Sequence, residues 1–374
     1  VTQPPTWGEP PPQQPGGWPG QPGQGGQWGP PQQPRPTPVP PKKGGAAKWA
    51  IGAVSLVAVI AVTAVVAVSC TKSGGTNNGS GGGTTSAAPS DVASANDKGP
   101  VGIITEDPSC APWGPINDTL YDAENKGWLQ RDPAVPASSW TPDIQSQFEA
   151  VGKAMRNAAD QAVSLAKITT HRVMRELYGQ FTAYLRAYAD SIPRYTALDD
   201  NLARAGSTAG NAIMAVCAAI SSGSAAARSA LASTPGSPSS IAPIGDLSNP
   251  QRIFNTPDIV CADISATLDQ LLLSSAFKSW VNTDPKIAVS NWSPEQQALT
   301  AAVVPVMTST ADSLEKLAQT SSNPMVQDFI QLGVQYRRAY VQALQTYQPS
   351  DQDIYAAGQR APGVLLGACK YAAG

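Results

Sequence analysis

Sliding the chain over itself by 152 residues aligns residues 140–217 with 292–369 without a gap, and 20 of those 78 positions are identical. Alanine matches carry little weight in so Ala-rich a chain, but the rarer residues match too. Trp140 meets Trp292, Pro142 meets Pro294, Met155 meets Met307 and Asp160 meets Asp312. Tyr184-Leu185-Arg186-Ala187-Tyr188 meets Tyr336-Arg337-Arg338-Ala339-Tyr340, Tyr195 meets Tyr347, and Cys217 meets Cys369. Upstream, Trp128 meets Trp280, Asp132-Pro133 meets Asp284-Pro285, and a one-residue gap brings Cys110 onto Cys261. Each copy therefore begins and ends with a Cys. A duplicated segment must fold twice into the same unit, which rules out any architecture without that symmetry.

The pattern within each copy is helical. Thr141-Pro142-Asp143 and Ser293-Pro294-Glu295 each offer an N-cap, a Pro at the first helical position and an acid in the first turn. Ile144, Phe148, Val151, Met155, Ala159 and Ala162 then recur at spacings of three or four. Asn323-Pro324 starts a second helix in the later copy, with Thr170 its weaker counterpart. Third helices run from about Asp199 to Cys217 and from Asp351 to Cys369. Ile264, Leu268, Leu271, Leu272 and Ala276 make a short fourth stripe in the second copy only. The expected fold is all-α: two tandem helical-bundle repeats, 100–220 and 259–374, joined by a Ser/Pro-rich linker at 221–258 and packed across a pseudo-twofold axis. A duplicated domain inherits its disulfide with its fold, so the expected pairs are Cys110 with Cys217 and Cys261 with Cys369. Cys217 with Cys261 and Cys110 with Cys369 is the competing scheme.

Ahead of the repeats the composition changes three times. Residues 1–45 hold 15 Pro, 10 Gly and 8 Gln, too little apolar surface to offset chain entropy, so a disordered tail with polyproline II character is expected. Trp7, Trp18 and Trp28 punctuate it, which makes it a candidate for weak, multivalent docking of cytoplasmic partners. Within 46–70, residues 49–68 carry no charge, and 20 residues at ~1.5 Å rise span a hydrocarbon core of ~30 Å. Arg35, Lys42, Lys43 and Lys48 precede this run against Lys72 behind it, which places the N-terminus in the cytoplasm and the repeats outside the cell membrane. Val66-Ala67-Val68-Ser69-Cys70 is also lipobox-like, and initiation at Val39 would give a short basic n-region and a lipidated Cys70; 48 residues before the apolar run favour the retained anchor. Residues 71–99 read as a flexible Gly/Ser/Thr tether.

In plan this layout resembles the proline-rich single-pass membrane proteins of mycobacteria and related actinobacteria. The resemblance rests on the Pro/Gln/Gly/Trp tail, the Lys42-Lys43 to Cys70 anchor and the Ala-rich, Cys-paired exterior. It implies a cell-envelope setting and no particular activity.

The chemistry-bearing motifs are few. One His and five scattered Cys exclude a multi-histidine or tetrathiolate metal site, and a net charge of −2 argues against nucleic acid. No nucleophile elbow, phosphate loop, dinucleotide fingerprint or zincin motif occurs, so no catalytic residue, cofactor or metal ligand is assigned. His171 reads as a surface or cap residue. Asp160 and Asp312 are the best carboxylates for acid–base work, though a buried strut to Arg186 and Arg338 or to a Tyr hydroxyl is the commoner use of such residues. Tyr184 and Tyr188, and likewise Tyr336 and Tyr340, share a helix face and are candidates for a ligand pocket or for core packing. The reading is a non-enzymatic envelope protein that presents its helical exterior to proteins, lipid or cell-wall polymer. A carrier with an apolar pocket, or a carboxylate-based enzyme, are the alternatives.

Overall fold

A computed structural model describes residues 91–374. The expected disordered tail, the expected membrane span, Cys70 and the expected tether up to residue 90 lie outside the described residues. The described part holds ten α-helices and no strand. Repeat one contains α1 (Cys110–Glu124), α2 (Pro142–Ile168), α3 (Arg172–Ser191) and α4 (Asp200–Ser221). A short α5 (Ser224–Arg228) follows. Repeat two contains α6 (Cys261–Leu273), α7 (Ser275–Trp280), α8 (Pro294–Thr320), α9 (Pro324–Ala343) and α10 (Asp351–Ala373).

The long helices start where the caps are. Thr141 Oγ1 accepts from Ile144 N at 3.3 Å and Ser293 Oγ from Gln296 N at 3.1 Å. Asn323 Oδ1 accepts from Met325 N at 3.0 Å and Val326 N at 3.4 Å, occupying orphan donors of the first turn. In repeat one the N-cap is His171, not Thr170, and its side chain makes no capping bond. Helix α1 carries no clear periodic stripe in the sequence, because Pro112, Gly114 and Pro115 interrupt its pattern. It forms because Trp113, Ile116 and Leu120 bury along one face.

One corner built from identical residues recurs in both repeats. Trp140 Nε1 donates to Val135 O at 3.0 Å, and Trp292 Nε1 to Ile287 O at 2.9 Å. Tyr195 Oη donates to Pro133 O at 2.9 Å, and Tyr347 Oη to Pro285 O at 2.6 Å. Ala137 N and Val289 N bond back to the carbonyls of Tyr195 and Tyr347. Each corner pins the irregular segment before α2 or α8 to the turn after α3 or α9. A second shared device is an Asp ahead of the first Cys. Asp107 accepts from Thr169 Oγ1 at 2.5 Å and Asp258 from Ser321 Oγ at 3.0 Å, fastening the first helix to the turn between the next two.

Both disulfides close within a repeat, Cys110–Cys217 across 107 residues and Cys261–Cys369 across 108, with Cα atoms 5.2 and 5.5 Å apart. The repeats meet through their equivalent last helices, α4 and α10. The backbones come so close that a Cβ on Gly367 would stand 2.7 Å from Ala205 N and 3.0 Å from Asn201 O.

The lead-in segments cross over. Tyr336 of repeat two holds Ile104 ahead of repeat one, accepting from its N at 3.2 Å and donating to its O at 3.4 Å. Gln180 of repeat one donates to Gln251 O at 3.0 Å and accepts from Ile253 N at 2.7 Å, ahead of repeat two. Parts of two segments expected to be linkers are therefore built into the fold. In the 221–258 stretch, α5 forms, Arg228 grips Asp351 through two 2.9 Å contacts, and Phe254 is buried. In the 71–99 stretch, residues 94–99 dock on α3, because polar groups there satisfy buried arginines that would otherwise lack acceptors.

Candidate functional site

The densest chemistry among the described residues lies where the repeats join. Arg172, at the start of α3, is buried and clamps Asp328 of α9, with Nε 2.6 Å from Oδ2 and Nη2 3.1 Å from Oδ1. Its Nη1 also donates to the carbonyls of Asp97, at 2.8 Å, and Gly99, at 3.2 Å. Asp97 Oδ2 accepts from the Arg172 backbone N at 2.7 Å. One turn on, Arg175 Nη1 donates to Ser94 O at 3.1 Å and Ser94 Oγ at 2.9 Å. Glu176 lies beside Asp328, and the two occupy equivalent positions in the repeats.

Desolvation, followed by the like charge of Asp328, holds the Glu176 carboxyl well above the usual carboxylate range, against the pull of Arg175 and Arg172. Burial is the largest influence on Arg172 and opposes its charge, but its bond to Asp328 together with the charges of Asp328, Glu176 and Asp97 raises its pKa; burial lowers that of Arg175. Away from the junction, burial pushes Glu124, at the end of α1, up to about 7 despite the nearby Arg131. Arg131 itself lies 3.3 Å over the Trp128 ring and pairs with Asp200.

The residues singled out in sequence fall elsewhere. All four tyrosines are buried in the core. Tyr188 Oη accepts from Trp128 Nε1 at 3.0 Å, Tyr340 Oη from Gln352 Nε2 at 3.4 Å, and Tyr336 holds Ile104. Tyr184 is buried near the 252–254 segment, and desolvation raises its pKa. They tie elements together instead of lining a common pocket. Asp160 and Asp312 do meet Arg186 and Arg338, at 2.6 and 2.8 Å, but on the surface, with 65% and 52% of each carboxylate side chain exposed. The paired carboxylates are instead Glu176 and Asp328, which no local motif marks; the signal was the match of two acids across the 152-residue repeat. The Nε2 atom of His171 lies 3.0 Å from Glu106 O. Among the described residues no group of His, Cys, Asp and Glu is placed to hold a metal, and no single helix is long and apolar enough to cross a membrane.

These features define a duplicated, disulfide-closed helical protein whose repeats are locked through crossed lead-ins and a buried charged centre. Residues 92–374 match the model of the mycobacterial ESX-1 associated protein family, and the chain belongs to that family. The match begins at Val92, so it takes in the segment that docks on Arg172 and Arg175. An uncharacterised protein of Mycolicibacterium smegmatis (strain MKD8) is 44% identical over 337 residues, covering 89% of this chain and 88% of its own length. No solved structure matches.

Proposed function

We propose that this is a non-enzymatic cell-envelope protein of the secretion-related, ESX-1-associated kind. Residues 49–68 anchor it in the membrane, and the helical unit is presented outside to envelope proteins, lipid or cell-wall polymer. The observation that carries this reading is the use of the interior. Tyr184, Tyr188, Tyr336 and Tyr340, the best candidates for a pocket, are packed into the core, which leaves the outer surface for recognition. Two disulfides suit an oxidising extracytoplasmic setting. A carboxylate-based enzyme would depend on Glu176 and Asp328, both of which are buried at the junction.

The test is photo-crosslinking in mycobacterial cells from the exposed apolar positions Ile259 and Leu273, followed by mass spectrometry of the adducts. Adducts with extracytoplasmic proteins, envelope lipid or wall polymer are expected. Adducts confined to cytoplasmic proteins would overturn the topology, and their absence at every surface position would overturn the interaction role.

A further inference from the structure

Arg337 on α9 is a buried cation without a carboxylate. Its equivalent in repeat one is Leu185. The side chain has one partner, Gln359 Oε1, 2.6 Å from Nη2, while Nε and Nη1 are buried with none. Burial lowers its pKa to about 10, so it stays charged at neutral pH. No acid contributes to its electrostatic surroundings; the one titratable group that does is the Tyr355 phenol. The other buried arginines at the junction have what Arg337 lacks, Arg172 an aspartate and Arg175 a backbone carbonyl and a hydroxyl.

Beside the guanidinium is a small cavity lined by Met307, Arg337, Tyr340, Tyr355 and Gln359, with room for one particle of about water's size. Four of these residues are buried, and Tyr355 is half-buried, so it is the side chain between the cavity and the surface. The site is specific to repeat two. Repeat one keeps Met155 and Tyr188 but places Leu185, Ala203 and Ser207 at the other three positions. Three polar substitutions thus converge on one point, where a single apolar one would have been enough to fill the space.

We propose that this cavity binds one monatomic anion of the halide class, held by an unpartnered N–H of the Arg337 guanidinium. A water molecule could accept from the same group but would leave the charge uncompensated in a low-dielectric surrounding. An oxyanion such as phosphate or sulfate is too large for the space. Met307, unbranched and flexible, can give the few tenths of an ångström by which chloride exceeds water. The anion supplies the charge balance that Asp328 supplies to Arg172.

The test uses the full chain in detergent at constant ionic strength, comparing sodium chloride, sodium bromide and sodium gluconate. A ligand bound only by the folded state raises Tm with its concentration, so chloride and bromide should raise Tm by roughly 2–4 °C over gluconate, saturably. Broadening of the chloride-35 NMR line should accompany this and be competed away by bromide. Arg337→Leu, which restores the repeat-one residue, should abolish both effects. Should that variant fail to fold, Gln359→Ser keeps the cation and should retain the halide-dependent Tm and line width. Equal Tm in chloride and gluconate, with no line broadening beyond that of Arg337→Leu, would show that the cavity holds water alone and would overturn the proposal.

Discussion

The two repeats share a corner, a disulfide and a helix order, yet fill their interiors in opposite ways. In repeat one the ring of Phe181 rests against Gly210, where a Cβ would stand 3.0 Å from Phe181 Cε2. At the equivalent positions of repeat two the large and small partners change sides. Gly333 faces Pro362, and a Cβ on Gly333 would stand 2.5 Å from Pro362 Cδ. Around Phe181, repeat one builds an aromatic cluster, with Trp113 edge-on to Phe181 at 5.0 Å and to Tyr178 at 5.5 Å. Repeat two has Ile264 and Ile330 there. A contact conserves summed volume, not the identity of either side, so duplicated cores diverge in compensating pairs. The hydrogen-bonded corner does not diverge, because replacing Trp140 or Tyr195 would leave the part-buried carbonyl of Val135 or Pro133 without its donor.

This comparison can be tested by mutating one repeat at a time. The largest expected effect is loss of a disulfide. Loops of 107 and 108 residues should each contribute up to ~5 kcal/mol by chain entropy. Cys110→Ser/Cys217→Ser and Cys261→Ser/Cys369→Ser should therefore lower the denaturation midpoint by similar amounts. A marked inequality would show that one repeat carries the fold of the other.

Next is the aromatic cluster. Trp113→Ala removes a fully buried indole and should cost about 3–5 kcal/mol, whereas Ile264→Ala should cost about 2–5. Denaturant titration of the two variants measures whether repeat one is the stiffer half.

The pH dependence follows from Glu124, which repeat two lacks, since Ser275 and Ala276 straddle its position. Its folded pKa is raised from 4.5 to about 7, so the native state binds that proton more tightly than the unfolded chain. Stability is greatest below the unfolded value and declines as pH rises through 7, by about 3 kcal/mol from this group. Glu176 acts in the same direction. Glu124→Gln should flatten part of the decline measured between pH 4.5 and 8; an unchanged slope would assign all of it to the junction.

The smallest effect belongs to the surface pairs. Asp160→Asn and Asp312→Asn should each cost at most about 1 kcal/mol and less at high salt, because both carboxylates are solvated. A larger loss for Asp312→Asn would mean that Arg338, which also pairs with Glu315 at 2.7 Å, organises a network where Arg186 does not.

The all-helical duplication and the starts of α2, α8 and α9 are legible in the chain, since cap, proline and period are local signals. Tandem identity also pointed to the Cys partners and to Asp160 with Arg186, because one duplicated contact leaves its mark twice. Helix α1 was hidden, because its prolines break the local pattern and only burial of Trp113 against α3 outweighs them. The docking of residues 94–99, the crossing of the lead-ins and the meeting of Glu176 with Arg172 and Asp328 were decided by tertiary structure alone. Each joins groups far apart in sequence through desolvation and charge, which have no periodicity to read. Whether a polar residue becomes a surface pair like Asp160 or a buried one like Asp328 depends on what the other repeat lays over it.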